Sequence, residues 1–352
     1  MSTHVPRVDF GRRVLVLRHR RIAVRLQWRS VVVCAVLAVA LAGTAVLALM
    51  TGSYGLSAGQ VLSALTGRET GIVHDIVLEW RLPRVAAALV FGAALGVSGA
   101  VFQSLLRNPL ADPGIIGLSQ GSYTGALIVI LVVNGTYAQL VGGALAGGIA
   151  TAVAMYGLAY RRGVQGFRLI IVGIGVSAML ASLNTWLILK ADLDQAMSAA
   201  AWGAGSLNGV TWNQVVVGGA CVAVLLLSAG MLSRPLRQME LGDDAAASQG
   251  VRVSPARLGL ILVGVALTAT VAAASGPIAF ISLVAPQIGR RLARTAGITL
   301  APAALVGALL CLASDYLAQH VAPTPLPVGI ITVVLGGGYL GYLLFIEARR
   351  RL

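Results

Sequence analysis

Long apolar runs are the feature of this sequence that most restricts its fold. A bilayer core is about 30 Å thick, so a helix needs roughly 20 apolar residues to cross it. Such runs occupy ten segments, at residues 30–50, 84–105, 114–133, 138–160, 168–189, 211–232, 257–275, 278–294, 300–319 and 326–346. They are too long for barrel strands and do not alternate with a strand period. Only 11% of the residues are charged, whereas soluble domains have about 25%. We therefore expect an all-α, polytopic membrane protein with about ten transmembrane helices, in which the seventh and eighth segments can also be read as one broken unit.

The distribution of basic residues indicates an orientation in the membrane. With a cytoplasmic N-terminus, ten crossings place only four of the 26 Lys and Arg residues outside: Arg68, Arg81, Arg84 and Lys190. Since Lys and Arg in short connections favour the cytoplasmic side, both termini are expected there. The net charge of +14 thus indicates orientation rather than nucleic-acid binding. Residues 1–29 form an Arg-rich tail that is expected to contact anionic headgroups, and residues 30–352 form one transmembrane domain.

Two arginines stand at the end of the longest outer connection, residues 51–83. A short helix is predicted at 57–66, with Ser57 capping its start. The connection ends at Arg81-Leu82-Pro83-Arg84, although arginine is disfavoured on this side. The pair favours a docking site for an acidic group of a soluble partner. The alternative is that both side chains extend to lipid phosphates.

Two proline-containing stretches interrupt the apolar pattern. They are "RNPLADPGIIGLSQGS" (107–122) and "SGPIAFISLVAPQIGRRLA" (275–293). The residues expected to break the helices, and to lie near a central pathway, are Pro109, Pro113, Gly114, Pro277 and Pro286. Irregular backbone at membrane depth requires protein or water beside it, and interrupted segments at comparable positions of two halves are typical of pseudo-symmetric transporters. Ordinary helix bundles also contain proline kinks.

Small residues recur four positions apart in several segments, which predicts close helix packing. The sets are Gly92, Gly96 and Ala100; Gly143 and Gly147; and Gly337 and Gly341.

Signals for catalysis and metal binding are weak. Gly96-Val97-Ser98-Gly99 has the GxSG spelling of an intramembrane serine protease, with His320 as a conceivable base, but a nucleophile needs its base within hydrogen-bond reach. Cys34, Cys221 and Cys311 lie far apart within apolar segments and suggest no metal site. We therefore expect that the chain has no enzymatic activity and no metal site.

The chain also lacks an obvious source of energy for transport. A P-loop needs Lys followed by Ser or Thr after a glycine-rich turn, and the only lysine is Lys190, in "LILKADLD". An ion-coupled carrier normally has ionisable groups within its spans, whereas Asp315 lies near the end of one. A transport path whose energy comes from outside the membrane-spanning chain is therefore favoured over an ion-coupled secondary carrier.

The stretch "ELGDDAAASQGVRV" (240–253) is a charged segment between the sixth and seventh spans, within the predicted inner loop 234–256. Asp243 and Asp244 are expected to cap a short helix, which Gly250 ends. Such a helix at the inner membrane face can transmit a rigid-body movement to the transmembrane helices that it joins.

Several stretches, taken in order, resemble the FecCD-type permeases of ABC importers. The resemblance runs from about residue 55 to 346. It is carried by "RLPR" (81–84), "GAALGVSGAVFQSLLRNPLADPGIIGLSQG" (92–121), "WGAGSLNGVTW" (202–212), "LGDDAAASQGV" (241–251), "SGPIAFISLVAP" (275–286) and "PLPVGIIT" (325–332).

The resemblance implies partners and roles. By this resemblance, the chain is expected to be a ten-helix subunit that pairs with a second permease around a central pathway. Two ATPase subunits are expected to bind in the cytoplasm, and an extracytoplasmic binding protein is expected to deliver the cargo. It implies a bacterial plasma-membrane location, ATP and Mg used only by the ATPase, and no cofactor on this chain. Arg81 and Arg84 match arginines that pair with the binding protein. The implied ATPase contact comprises Asp243, Asp244, Ala245, Ala246, Gly250 and Arg252. The implied inner gate comprises Gln165 and Gly166.

Some positions depart from the family pattern. Gln287 follows Ala285-Pro286 where histidine is usual, Gln319 replaces an expected arginine, and Gly336-Gly337-Gly338-Tyr339 replaces a proline-containing break. These departures suggest an altered cargo or docking partner, or a heterodimer in which a second permease supplies the arginine. The expected cargo is a ferric siderophore, with heme and cobalamin as alternatives.

Overall fold

The computed structural model describes residues 14–19, 22–114, 117–159, 166–297 and 299–351. In this part of the chain, a two-stranded antiparallel hairpin of β1 (Val14–His19) and β2 (Ile22–Gln27) precedes a series of helices. The helices are α1 (Trp28–Met50), α2 (Ala58–Leu65), α3 (Ile72–Asp75), α4 (Leu82–Leu106), α5 (Leu118–Ile128), α6 (Tyr137–Ala159), α7 (Gly166–Lys190), α8 (Leu193–Gly203), α9 (Trp212–Met231), α10 (Ser233–Glu240), α11 (Asp243–Ser248), α12 (Val253–Ser275), α13 (Ile281–Ala293), α14 (Leu300–His320) and α15 (Val328–Arg351). Two π-helical stretches join α3 to α4 (Ile76–Arg81) and extend α5 (Val129–Val133).

The ten predicted apolar segments all coincide with helices. Within the described residues, seven helices are long and apolar enough to cross a bilayer: Trp28–Met50, Ile72–Leu106, Tyr137–Ala159, Ile171–Lys190, Trp212–Met231, Val253–Ser275 and Leu300–His320. Leu118–Val133 and Val328–Leu343 are shorter apolar helices. The remaining segment, α13, has 13 residues and extends roughly 20 Å at 1.5 Å per residue. The prediction of an all-α polytopic membrane protein is confirmed, and α12 and α13 are separate helices.

Helix α4 lies at the centre of the bundle. It packs against α9, α12, α13 and α14, and most of its residues from Pro83 to Ser104 are buried. Since lipid tails are as apolar as leucine, close packing rather than water exclusion holds such helices together. A Cβ on Gly92 would lie 2.5 Å from the Gly307 carbonyl oxygen of α14. The predicted small-residue packing is thus observed on α4.

The other two glycine sets differ from each other. Gly143 and Gly147 of α6 lie directly against the backbone of α5 at Gly121 and Gly125. In contrast, no atom of another helix in the described chain lies within 4 Å of a Cβ placed on Gly337 or Gly341. The α15 set therefore makes no close helix contact within this part of the chain.

Local signals in the outer connection were predicted well. The Ser57 hydroxyl accepts from the Gln60 backbone N–H, and the Gln60 side chain accepts from the Ser57 backbone N–H, which forms a capping box for α2. Helix α8, which follows α7 and carries Asp194 in its first turn, was not predicted.

The prediction that Pro286 interrupts its helix is wrong. Helix α13 continues through Pro286. A proline cannot donate the bond to the carbonyl four residues earlier, here that of Ser282, and Gly99 of α4 packs directly against that carbonyl. The Ser282 carbonyl, which lacks its usual helical donor, therefore lies against α4.

Candidate functional site

The two outer arginines have different partners. The Arg81 guanidinium donates to two backbone carbonyls, Leu49 O at 2.7 Å and Tyr54 O at 2.6 Å. It thereby joins the start of α4 to the end of α1. Both acceptors are neutral, so these bonds leave the positive charge of Arg81 uncompensated.

Arg84 is held in an internal ion pair. Its Nε and Nη2 atoms each lie 2.8 Å from a carboxylate oxygen of Asp315 on α14. The side chains of Arg84 and Asp315 are 16% and 2% exposed, and Gln319 donates a further bond of 3.0 Å to Asp315. The pair is nearly neutral as a unit. Sequence reasoning missed Asp315 as this partner, although a carboxylate in an apolar helix requires one.

The predicted charged helix exists on the opposite side of the bundle as α11. Gly242 precedes it and Gly250, at φ 84°, follows it, as expected for a helix stop. Asp243 and Asp244 lie in its first turn, where they match the helix dipole. The prediction that these acids cap the helix is wrong, because Gly242 occupies the N-cap position and no side chain caps it.

Asp243 binds two arginines instead. Its Oδ1 atom lies 3.0 Å from Arg107 Nη2, just after α4, and both its oxygens lie 2.7 Å from Arg257 Nη2 of α12. Asp243 therefore faces the bundle. Of the other residues assigned to the ATPase contact, Asp244, Gly250 and Arg252 are exposed, Ala245 is half-buried and Ala246 is buried.

The predicted break after α4 is observed at residues 107–114 and 117. Pro109, Pro113 and Gly114 all lie in it, and the next helix begins at Leu118 rather than at 114. Asp112 is 3% exposed and accepts bonds from Ser282 Oγ at 2.7 Å and from the Gly114 backbone N–H at 2.8 Å. Burial raises the pKa of the Asp112 carboxyl, and the two hydrogen bonds oppose that shift.

The two proline-containing stretches meet in space. Ser282 of α13 binds Asp112, and Gln287 Nε2 donates to the Pro109 carbonyl at 2.7 Å. Gln287, which replaces the usual histidine, thus holds the break. Pro277 lies in the unwound connection between α12 and α13, and Phe280 in this connection has a left-handed backbone (φ 68°).

A polar cavity of about 260 Å³ lies between α5, α7 and the Pro277 connection. Gln120, Tyr123, Asn184 and Thr185 line it. Asn184 is 3% exposed and is fixed by Thr124 Oγ1 at 2.6 Å and by the Gln120 side chain at 3.1 Å. Polar groups at membrane depth require protein or water as neighbours rather than lipid.

The predicted inner gate falls at an edge of the described chain. Gln165 lies outside the described residues, and Gly166 is the first residue of α7. The gate therefore stays a prediction.

The GxSG stretch is packed inside the bundle. Ser98 is buried, donates to the Gly264 carbonyl at 2.7 Å and contacts the Thr268 hydroxyl. In the described chain, no cluster of three or more His, Cys, Asp or Glu side chains is suited to hold a metal.

The apolar helices, the break between α4 and α5 and the charged helix pair beside it define a polytopic helical membrane protein of transporter type. The chain belongs to the FecCD transport family, whose model matches residues 27–345. It is a membrane transport permease, which confirms the resemblance and sets aside the protease and ion-coupled carrier alternatives.

Individual relatives agree with this assignment. The chain is 46% identical over 324 residues to the ferric enterobactin transport system permease protein FepG of Escherichia coli, covering 92% of this chain and 98% of the relative. It is 38% identical over 295 residues to the iron(3+)-hydroxamate import system permease protein FhuG of Bacillus subtilis, covering 81% and 88%. A solved metal-chelate type ABC transporter in an inward-facing conformation matches with a TM-score of 0.77 at 27% identity, covering 90% of this chain and 99% of that one.

Proposed function

We propose that this chain is the transmembrane permease subunit of a binding-protein-dependent ABC importer for ferric siderophores. The observation that carries the proposal is the 46% identity, along 92% of the chain, to a permease named for ferric enterobactin. The permease named for iron(3+)-hydroxamate adds a second siderophore class. Heme and cobalamin are the alternative cargoes.

The transport cycle follows from the two ends of the bundle. A loaded binding protein docks on the outer side at Arg81, whose charge is uncompensated by its carbonyl partners, with Arg84 beside it. On the inner side, two ATPase subunits contact the exposed face of α11, which carries Asp244, and the adjoining Arg252. ATP and Mg act in those subunits, and this chain contributes no cofactor. ATP-driven closure then switches the bundle between outward and inward openings.

A second permease subunit completes the pathway. Helices α7 and α15 present large apolar side chains that are all more than half exposed: Met179, Trp186, Val334 and Tyr342. On α15, the unpacked glycines Gly337 and Gly341 permit close approach of another helix. Either an identical copy or a different permease can occupy these faces. The assembly lies in the bacterial plasma membrane with both termini cytoplasmic, as the distribution of basic residues indicates.

The polar cavity at Gln120 and Thr185 faces the pathway in this arrangement. Its lining lies on α5 and α7, next to the unwound connection at Pro277. Water in a central path would satisfy these groups, and a cargo with polar edges could contact them in passing. The cavity is too small to hold a whole siderophore. This size is consistent with a surface that lines the transport path rather than a site that binds the cargo.

The deciding experiment measures uptake. The gene for this chain is deleted in its own bacterium, and uptake of radiolabelled iron as a ferric catecholate, a ferric hydroxamate or hemin is compared with uptake of labelled cobalamin. We expect loss of one ferric siderophore activity and its recovery with the plasmid-borne gene. Loss of hemin or cobalamin uptake alone would replace the cargo assignment, and unchanged uptake of all four would reject the proposal.

A further inference from the structure

The last turn of α4 is attached to the charged helix pair α10–α11. Arg107 ends α4 with a left-handed backbone (φ 48°). Its Nε and Nη2 atoms donate to the Met239 carbonyl at 3.2 and 2.8 Å, and Nη2 also lies 3.0 Å from Asp243. Ser104, one turn earlier, donates to Glu240. Side chains at the end of α4 therefore hold the end of α10 and the start of α11 together.

The same part of α4 is attached to the break and to α13. Gln103 Nε2 donates to the Leu283 carbonyl at 2.8 Å. Beyond Arg107, the break is fixed to α13 through two pairs of residues, Gln287 with Pro109 and Ser282 with Asp112. A continuous set of contacts thus runs from the charged helix pair, through Arg107 and the break, to α13.

Asp243 offers a second route that can be compared with the first. Arg257 lies in the first turns of α12, the helix that follows the charged segment directly in the chain, and its Nη2 atom binds both Asp243 oxygens at 2.7 Å. A displacement of α11 could therefore be transmitted through Arg257 to α12, the next helix in the chain, or through Arg107 to the central helix α4.

A cavity beside the α4 turn favours the route through α4. It has a volume of about 230 Å³ and is lined by Gln103, Arg107, Glu240, Arg290 and Gly297 among others. Well-packed interiors resist displacement, and this cavity leaves the α4 turn less closely packed on one side. The buried Gln103 Oε1 atom also has no hydrogen-bond partner among the described residues.

We infer that Arg107 is the positioning residue that transmits movement of the α10–α11 segment to α4, and through Pro109 and Asp112 of the break to α13. Transmission then bypasses the helices that adjoin the segment in sequence. Because α4 packs against α9, α12, α13 and α14, a shift of its inner end reaches the bundle centre. The inference rests on the proposed contact between α11 and an ATPase.

The experiment compares Arg107→Met with Arg257→Met in the complete complex with its ATPase and binding protein, reconstituted in liposomes. Each substitution removes one of the two partners of Asp243. Methionine and arginine tolerate the left-handed backbone at position 107 about equally, so Arg107→Met changes mainly the side-chain contacts. The readouts are recovery of the assembled complex, ATP hydrolysis and the amount of ferric catecholate transported per ATP hydrolysed.

We expect Arg107→Met to assemble and to hydrolyse ATP, while cargo per ATP falls by roughly fivefold or more, as for a lost coupling between two sites. Arg257→Met is expected to keep most of the wild-type ratio. An unchanged ratio in Arg107→Met, or an equal fall in both variants, would overturn the inference. If Arg107→Met does not assemble, Arg107→Gln is measured by the same criteria.

Failure of the underlying proposal is recognised separately. Asp244→Arg, on the exposed face of α11, is expected to reduce recovery of the ATPase with the permease. If the ATPase binds this variant normally, the α11 contact is wrong, whatever the two arginine variants show.

Discussion

Arg84 and Asp315 form a two-bond ion pair between the outer ends of α4 and α14, with both N–O distances at 2.8 Å. This ion pair distinguishes Arg84 from Arg81, although the sequence analysis assigned the same role to both. The charge of Arg84 is balanced by a buried carboxylate, whereas Arg81 donates to neutral carbonyls. Of the two arginines, Arg81 therefore retains the net positive charge that the proposed docking of an acidic partner requires.

Replacement of Arg84 by Met should destabilise the fold. Asp315 would remain as a buried carboxylate with Gln319 alone, and removal of one partner from a buried pair costs about 3–5 kcal/mol. The double variant Arg84→Met/Asp315→Leu should recover most of this loss, since it buries no unpaired charge. Thermal unfolding of the purified variants measures both effects, and additive losses in the double variant would contradict the interpretation as an ion pair.

Replacement of Arg81 by Glu should weaken docking of the binding protein. The change reverses a charge at the proposed contact, and the resulting repulsion lowers the association rate most strongly at low salt. Arg68→Glu is the matched control, because Arg68 is exposed in the same connection but lies outside the RLPR motif. Surface plasmon resonance with the permease in nanodiscs measures both variants at several salt concentrations. Equal weakening in the two variants would indicate only a general charge effect.

Replacement of Asp244 by Arg should impair ATPase binding with little effect on the permease fold. Asp244 is exposed, and no hydrogen bond or ion pair of its side chain is observed in the described chain. Asp243→Arg is a less specific variant, because it would place a third arginine beside Arg107 and Arg257. Ser254→Arg, at an exposed position early in α12, is the control. Co-purification of the ATPase with each variant gives the result.

Replacement of Asp112 should distinguish its charge from its hydrogen bonds. Asn keeps an oxygen that can accept from Ser282 and Gly114, whereas Ala leaves these donors without an acceptor, at about 1–3 kcal/mol. Asp112→Ala is therefore expected to unfold at a lower temperature than Asp112→Asn.

The same position should give a pH dependence of stability. The pKa of Asp112 is raised by burial in the folded state, so the folded protein binds this proton more tightly than the unfolded chain. Its stabilising contribution is complete below the unfolded pKa and is lost as pH rises through the folded pKa. The wild-type melting temperature should fall over that window relative to that of Asp112→Asn. Parallel curves for the two proteins would exclude this effect.

Cysteine labelling should test whether the polar cavity is hydrated. In a background with Cys34, Cys221 and Cys311 replaced by Ala, Thr185→Cys is expected to react with a membrane-impermeant, water-soluble maleimide. Val224→Cys is the control, because Val224 is exposed on the apolar surface of α9 and should face lipid. Equal protection of both cysteines would contradict a water-filled path at Thr185.

Much of the fold could be predicted because its signals are local. The apolar runs located all ten segments, Ser57 marked the start of the short outer helix, and Gly250 marked the end of the charged helix. These features depend on the backbone and on residues within a few positions. The start of the third segment at Leu118 was missed, since glycine and proline show that a helix breaks but not where the next one begins.

The candidate sites were only partly predictable. The outer arginines and the charged segment stood out, but their partners did not. Arg84 and Asp315 are separated by 231 positions, and Arg107 and Asp243 by 136. No periodicity or motif connects residues so distant, because their contact depends on which helix faces pack together. Pro286 shows the same limit, since the carbonyl that it leaves without a helical donor packs against Gly99 of another helix, a contact that the sequence does not reveal.

The amino-acid order by itself determined that the chain crosses a membrane as helices, where those helices lie, and which short segments are charged. It did so because bilayer thickness and backbone chemistry act on neighbouring residues. Tertiary structure decided which charges are balanced by other residues of the bundle and which are not. The balance depends on distances across the bundle, and only the packing of α4 against α10, α13 and α14 brought the paired groups within hydrogen-bond reach.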